Sequence, residues 1–489
     1  MSSYTPEEPI AAIATALAPS ALAIIRVSGK NCISLVSKLF SRPKALNAAA
    51  GNTLVYGWIL SPEKPSTSKS NAQAVERKRI DEVMLAVYKN PKSFTGEDMV
   101  EIFCHGGISP VKSVYNLLLK NGFREAERGE YTFRAFVNGK TDLTRAEAVR
   151  EIIESKTDMS RGRAADRLSG ALFTQIESLK QQLAMTLSHI EVGIEYPEDE
   201  NAISDAYDPA ELLEVQKKLQ ELSSSWNAEK LYQDGARIVL CGCTNAGKSS
   251  LFNTLLKQDR AIVSDIHGTT RDWIESWISF DGIPARLFDT AGLRETEDSI
   301  EAIGVERTKE LAADADLNLY LIDADLGLQD EDKQMLREFL SPKTTTPVII
   351  VMNKTDKNLA NIPNIPTLMS ELAVSSKNID LTKPDAIVSI SAKTGKGISE
   401  LTTAVNHTLL AKLTNSDMKT GLGSERQKLA VDNALVSLQQ AINVPSQGLG
   451  SDAVIFDLED AIASLGEITG QVSPDDILGN IFSKFCVGK

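Results

Sequence analysis

The segment from Gly242 to Ser249, "GCTNAGKS", constrains the fold more than any other part of the chain. It fits G-x-x-x-x-G-K-S, follows the apolar run "ARIVLC" and opens the helix-compatible run "KSSLFNTLL". A glycine-rich turn between strand and helix lets backbone N–H groups close around phosphates, and the helix N-terminus adds partial positive charge. Lys248 is then expected to reach the β- and γ-phosphates, and the Ser249 hydroxyl to sit on Mg²⁺. Such a loop works only at the end of a parallel strand. The runs "ARLFD", "LNLYLID", "TPVIIVM" and "DAIVSI" are short, apolar and β-branched, with helical stretches between them. The middle of the chain is therefore read as a doubly wound α/β domain.

Three further motifs follow in order, each after a strand. "LFDTAG" places Asp289 to hold Mg²⁺ through water and the Gly292 N–H to contact a γ-phosphate, with Thr290 and Ala291 between them. "VMNKTD" supplies Asp356, whose acceptor-only carboxylate matches the N1–H and exocyclic amine of guanine, which adenine lacks. Asn353 and Lys354 are expected to buttress the base, and the Ala392 N–H of "SISAK" to donate to guanine O6, flanked by Ser391 and Lys393. Within the first motif, Asn245, Ala246, Gly247 and Ser250 complete the nucleotide-contacting set. GTP with Mg²⁺ is the ligand these motifs imply.

Between the first two motifs lies "SDIHGTTRD". One of its threonines is expected to complete the Mg²⁺ shell when the loop meets the γ-phosphate, and spacing selects Thr270. The residue after "DTAG" is Leu293, which cannot orient water. Candidates to position the nucleophile are Glu295, Glu297, Asp298 and Glu301, and Arg271 and Arg294 are candidates to supply positive charge.

The rest of the 489 residues frames this domain. "ALAIIRV", "TLVYGWI", "DEVMLAVY" and "DMVEIFC" read as strands, and "GISPVKSVYNLLLKNG" as a helix ending at Gly122. The stretch Ile10 to Ile25 follows Glu7 and Glu8 rather than a basic segment, so it reads as a first strand with its approach, not a signal peptide. The polar piece 61–78 reads as a surface hairpin loop, and the long segment after Asp356, 357–383, as an insertion. From Arg145 the period becomes helical: Leu168, Leu172, Ile176, Leu179, Leu183, Leu187 and Ile190 share one face, and a second helix spans roughly 209–224. The helical period returns after about residue 424, so two helical blocks flank the α/β domain and are expected to pack as one discontinuous bundle. The expected domains are 1–140 (α+β), 141–233 (helical, first part), 234–412 (a Ras-like P-loop α/β G domain) and 413–489 (helical, second part).

A net charge of −14 disfavours indiscriminate nucleic-acid binding, so an RNA partner would be engaged by a confined surface or through another protein. The five scattered cysteines suit a reducing compartment. No apolar run approaches the ~20 residues of a membrane span. No membrane association is expected, and the location expected is the cytoplasm, or an organelle matrix in a eukaryote.

The set "GCTNAGKSSL", "GTTRD", "DTAGLRE", "NKTD", the flanking helical blocks and the final "FCVGK" resembles the MnmE/TrmE tRNA-modification GTPases over the whole chain. The resemblance implies a K⁺ site at Asn245, completed by Ser264, Ile266 and Thr269. There K⁺ replaces an arginine finger, two G domains meet across their switches, and Glu301 orients the attacking water. It also implies an N-terminal tetrahydrofolate-binding, dimerising domain, with Arg26, Glu101 and Lys140 matching the folate positions, Lys489 reaching the pocket and Cys486 a candidate reactive cysteine. "CHGG" (104–107) then reads as a glycine-rich turn under the pterin, whereas the turn before Arg26, "ALAPSAL", lacks the family's glycine. By the same resemblance the homodimer works with tRNA and an FAD-containing MnmG/GidA-type partner, as a heterotetramer. They add a carboxymethylaminomethyl- or aminomethyl-type group to carbon 5 of the wobble uridine, with 5-formyl- or methylene-tetrahydrofolate as carbon donor. The alternative class is a regulatory switch acting on ribosome assembly or another partner, with the folate-like domain only a scaffold.

Overall fold

A two-residue apolar period puts one side of each N-terminal strand into a core and leaves the other side free to build a site. The structure, a computed structural model, describes residues 8–61, 77–195, 209–257, 274–289, 310–357, 363–374, 381–411, 421–444, 451–471 and 475–488. It divides into two compact units: residues 1–150, 173–181 and 462–489, and residues 151–172 and 182–461.

In the first unit, β1 (Ile10–Ile13), β2 (Leu22–Ser28), β3 (Thr53–Leu60), β4 (Arg79–Tyr88), β5 (Met99–His105) and β6 (Arg124–Glu125) form one sheet in the order β3-β4-β5-β2-β1-β6. Its register lines up Val55, Leu85, Ile102 and Ile25 across four strands. That row is buried against Cys32 and Val36 of the helix Cys32–Lys38 and Val111, Val114 and Leu118 of the helix Ile108–Leu119. Burying each such aliphatic side chain contributes roughly 1.5–3 kcal/mol. One residue further along, Arg26 faces Glu101 on the opposite side of the sheet. The first strand read from Ile10 to Ile25 is in fact two antiparallel strands, because the chain turns back through the segment holding Pro19. The helix read as ending at Gly122 stops at Leu119, and Gly122 adopts φ +100° beyond it. The expected hairpin at 61–78 has its stem in place, with the Ser61 N–H donating to the Lys78 carbonyl at 2.9 Å; residues 62–76 lie outside the described residues. The helices Glu130–Val137 and Asp475–Ser483 meet through Phe133 and Phe482, ring centroids 5.3 Å apart. This contact returns the C-terminal tail to the sheet.

In the second unit, β7 (Ala236–Cys241), β8 (Ile274–Phe280), β9 (Ile283–Asp289), β10 (Leu317–Asp323), β11 (Val348–Asn353) and β12 (Ala386–Ser389) form a sheet ordered β12-β11-β10-β7-β9-β8. Only the β8–β9 pairing is antiparallel. All six residues of β11 are buried, as a central parallel strand covered on both faces requires. The sequence reading missed β8, although the Asp281-Gly282 pair between β8 and β9 is the strongest short hairpin signal available. The segment after Asp356 is not wholly an insertion. It contains the helix Ile365–Val374, whose Leu368 and Leu372 enter the core, as the crossover between parallel β11 and β12 demands.

The helical seam also needs correction. Gly170, at φ +99°, ends the helix Asp158–Ser169, and a new helix, Ala171–Glu195, begins directly after it. Leu168 therefore leaves the seam and is exposed, whereas Leu172, Ile176, Leu179, Leu183 and Ile190 are buried. The helix read as 209–224 runs from Pro209 to Asp234. It packs on Glu425–Asn443, with Ser223 donating to Asp432 at 2.8 Å and Gln216 to Gln439 at 2.7 Å. The two helical blocks meet along this pair of helices, whereas residues 173–181 and 462–489 of the blocks fall in the first unit.

Candidate active site

The phosphate loop is formed by its backbone before any ligand is considered. Gly242 and Gly247 adopt φ +129° and +97°, and both are closely approached. A Cβ on Gly242 would stand 2.3 Å from the Leu321 carbonyl, and one on Gly247 2.2 Å from Asn353 Nδ2. Asn245 takes the left-handed region, φ +61°, with its side chain exposed. The Lys248 ammonium donates to the carbonyls of Gly242 at 2.7 Å and Cys243 at 2.8 Å, so it spans the mouth of the loop. Ser249 and Ser250 are exposed in the first turn of the helix Lys248–Leu255. Asp289, buried at the end of β9, is paired with Leu240 of β7 just before the loop. Burial, followed by a hydrogen bond with Asp332, pushes the Cys243 thiol up to about 12, so this loop cysteine stays protonated.

Asn353 joins the glycine-rich loop to the segment holding Ala392. Its amide donates to the Ala246 carbonyl at 2.8 Å and accepts the Ala392 N–H at 3.0 Å. Ser391, fully buried, donates to Asp356 Oδ1 at 2.7 Å and holds that exposed carboxyl below its ordinary range. The Thr355 N–H and hydroxyl both donate to the Ile390 carbonyl, at 3.1 and 2.9 Å, which ties the third motif to the fourth. Lys354, at φ +67°, donates to Asp323 Oδ2 at 2.6 Å. Burial pushes Asp323 up, but this hydrogen bond and the Asp325 N–H outweigh it, and the carboxyl is lowered overall. Sequence reasoning missed Asp323, since an aspartate ending a strand carries no signal of its own. Lys393 is exposed beside Asp356 and adds positive charge there. Ser264, Ile266, Thr269, Thr270, Arg271, Thr290, Ala291, Gly292, Leu293, Arg294, Glu295, Glu297, Asp298, Glu301 and Lys489 lie outside the described residues.

A second polar cluster occupies the open face of the N-terminal sheet. Arg26 Nε donates to Glu101 Oε1 at 2.7 Å, and Nη1 donates to the Gly488 carbonyl at 3.2 Å. Tyr88 donates to the other oxygen of Glu101 at 3.3 Å, and Phe94 lies 5.8 Å from the Arg26 guanidinium. The tail reaches this cluster because Val487 bridges Arg128 and Gly488 passes against Ile13 and Ala14. Cys486, beside it, is exposed. Lys140 is exposed and lies along Gly96, in the loop that carries Phe94. The turn lacking a glycine, "ALAPSAL", is accommodated from the other side. The Ser20 N–H donates to the Gly106 carbonyl at 3.1 Å, and a Cβ on Gly106 would stand 2.2 Å from Ser20 Oγ. The glycine-rich turn at 104–107 is therefore present, with Gly107 as N-cap of the next helix.

His105 is paired with Asp81 in this turn. Its Nδ1 is 2.7 Å from Asp81 Oδ1, and its N–H donates to Asp81 Oδ2 at 2.9 Å. The hydrogen bond with Asp81 is the main cause of a raised imidazole pKa. An NMR titration is expected to place its midpoint above that of an ordinary histidine, and Asp81→Asn to bring it back. Because the folded value is the higher one, the stabilisation is full below the ordinary histidine range and is lost as pH rises through the raised value. A midpoint unmoved by Asp81→Asn would overturn the pairing.

Residues 9–140 match the family described as the GTP-binding protein TrmE N-terminus, and residues 143–486 match the one described as the MnmE helical domain. A tRNA modification GTPase MnmE of Treponema denticola is 49% identical over 497 residues, covering 99% of each chain. Its counterpart in Treponema pallidum is 40% identical over 510 residues, again covering 99% of each. One in Borreliella burgdorferi is 38% identical over 488 residues, covering 99% of this chain and 98% of its own.

Proposed function

The chain belongs to the MnmE family of tRNA modification GTPases, and on that premise we propose that it is a K⁺-stimulated, dimeric GTPase whose hydrolysis cycle drives carbon-5 modification of the wobble uridine of certain tRNAs. GTP hydrolysis itself follows from membership of the family. The observation that carries the finer reading is Asn245: a left-handed, exposed asparagine at the rim of a loop whose one lysine spans its mouth. Its side-chain oxygen suits a hard monovalent cation. When bound, such an ion supplies positive charge beside the β- and γ-phosphates, where an arginine finger would otherwise act.

This chain's own residues do the rest. Lys248 would exchange its loop carbonyls for phosphate oxygens, Ser249 and Thr270, with Asp289, would hold a Mg²⁺ that neutralises phosphate charge, and the Gly292 N–H would donate to the γ-phosphate. Glu301 would orient the attacking water, and Ser264, Ile266 and Thr269 would complete the K⁺ site. Asp356 and the Ala392 N–H select guanine, with Asn353 joining the two ends.

The same reading gives the Arg26–Glu101–Gly488 cluster, with Lys140 and Lys489, to a tetrahydrofolate derivative that supplies one carbon when bound. A guanidinium and a carboxylate on one open sheet face, with an aromatic ring beside them, fit a flat, polar-edged heterocycle with an acidic tail. An FAD-containing MnmG/GidA-type protein is the proposed partner, in a heterotetramer, with Cys486 as the candidate reactive cysteine. GTP hydrolysis then drives a conformational cycle rather than the carbon chemistry.

Hydrolysis measured in K⁺ against Na⁺ buffer tests the proposal. The rate is expected to be more than ~10-fold higher in K⁺, and Asn245→Ala to remove the difference. Equal wild-type rates in the two salts would remove the cation reading. If Cys486→Ser with Lys489→Ala leaves tRNA modification intact while Glu301→Ala abolishes it, the switch alternative gains instead.

A further inference from the structure

In the chain, the hairpin β8–β9 lies between Thr270 and Glu301, to which the proposed function gives the Mg²⁺ shell and the attacking water. Its turn, Asp281-Gly282, has φ +47° and +90°, as a two-residue hairpin requires. This turn does not end in solvent. The Gly282 carbonyl accepts a hydrogen bond of 2.7 Å from the Thr157 hydroxyl. Thr157 is the N-cap of the helix Asp158–Ser169, and the same hydroxyl accepts the Ser160 N–H at 3.2 Å, in a capping box with Ser160. Met159, one residue into the first turn, packs so closely on Gly282 that a Cβ there would stand 2.2 Å from its sulfur. Further along the hairpin, Trp277 lies 5.7 Å from Lys156 and 4.8 Å from Arg286. The far end of the same helix is held by Arg163 and Arg167, both on Glu229.

We propose that Thr157 is a positioning residue for GTP hydrolysis: its hydroxyl fastens the turn between the two switch-bearing strands to a helix cap, so that their register is set from the helical bundle. The inference rests on the reading, under the proposed function, of Thr270 and Glu301 as residues of the two switches that flank this hairpin. A seven-residue strand carries the constraint ~20 Å, from the turn to Asp289. The hairpin is rigid along its length, since its seven backbone pairs run from Phe280–Ile283 to Ile274–Asp289. A turn that shifts therefore shifts both strand ends, and misplacement by ~1 Å costs on the order of 100-fold in a positioned reaction. By reciprocity, a nucleotide state that pulls on the strands must strain or relax the cap.

The discriminating variant is Thr157→Asp. Aspartate caps a helix as well as threonine does, but its carboxylate can only accept and so cannot bond the Gly282 carbonyl. In the full chain, Thr157→Asp is expected to lower kcat by about 5- to 10-fold, with GDP affinity and melting temperature unchanged, and Thr157→Ser to restore the wild-type rate. Hydrogen exchange over 157–162 in the wild type is expected to differ between GDP and GDP with aluminium fluoride. An unchanged kcat in Thr157→Asp, or a loss of rate, GDP affinity and melting temperature together, would overturn the proposal. Identical exchange in the two nucleotide states would do so as well. Thr270→Ala, run alongside, separates the two levels: full activity there removes the switch assignment, whatever Thr157 does.

Discussion

Asp356→Asn is expected to move the nucleotide preference from guanine to xanthine. A carboxylate offers acceptors only, which match the N1–H and exocyclic amine of guanine. An asparagine keeps one acceptor and presents an amide donor. The Ser391 hydroxyl already donates to Oδ1 of residue 356, so it would hold the amide oxygen and turn the NH₂ toward the base. That donor faces the guanine amine unfavourably and the 2-oxo group of xanthine favourably. Sites built around a specific hydrogen bond reject the mismatched analogue strongly, and a fall of about 100-fold or more in GTP affinity is expected, with a comparable gain for XTP. Competition binding of GDP and XDP to the variant measures it. The phosphate loop is untouched by the change, so XTP hydrolysis should retain its response to K⁺. A variant that loses both nucleotides equally would mean that Asp356 serves the loop's fold rather than the base.

The second large effect is on stability. Arg167, only 1% exposed, is held between Glu151 at 2.5 Å and Glu229 at 2.8 Å, and it also donates to the Gly421 carbonyl at 3.3 Å. Arg163 supplies the second positive charge on Glu229 at 2.6 Å. The chain re-enters the helical bundle directly over this cluster: a Cβ on Gly423 would stand 2.3 Å from Glu151 Oε1. Arg167→Ala removes the charge that holds Glu151 and leaves buried carboxylates behind. Breaking a buried pair in this way costs about 3–5 kcal/mol. In a unit of this size that corresponds to a fall in melting temperature on the order of 10 °C. Arg167→Lys should recover only part of the loss, because an ammonium cannot reach both glutamates as the planar fork does. A melting temperature within a degree or two of wild type would show that water or a rearranged glutamate replaces the arginine at little cost. Calorimetry of the full chain, with GDP bound to hold the nucleotide domain constant, is the measurement.

The two effects differ in how visible they were beforehand. Asp356 stands in a four-residue motif behind an apolar strand, and its chemistry follows from that position alone. Nothing near Arg167 in the chain marks it. Its partners lie 16 and 62 residues away, and the carbonyl it reaches lies 254 away. The same contrast holds in the third motif, where Lys354 was legible and its partner Asp323 was not. It holds again in the N-terminal sheet, where Gly106 rather than the preceding turn supplies the missing side-chain-free position.

The glycine-rich loop, the motifs that end the strands, the parallel strands and the two helical stretches were determined by local order along the chain. Phosphates are bound by contiguous amides, and strands and helices show their period within a few turns, so short stretches are enough to specify them. The break at Gly170, the antiparallel strand β8, the tail carbonyl on Arg26 and the seat of Gly282 on Thr157 were decided only by the tertiary structure. Each of these joins common residue types from distant parts of the chain. Such contacts form because burial and unpaired backbone groups leave no cheaper arrangement, and no spacing in the sequence records that competition.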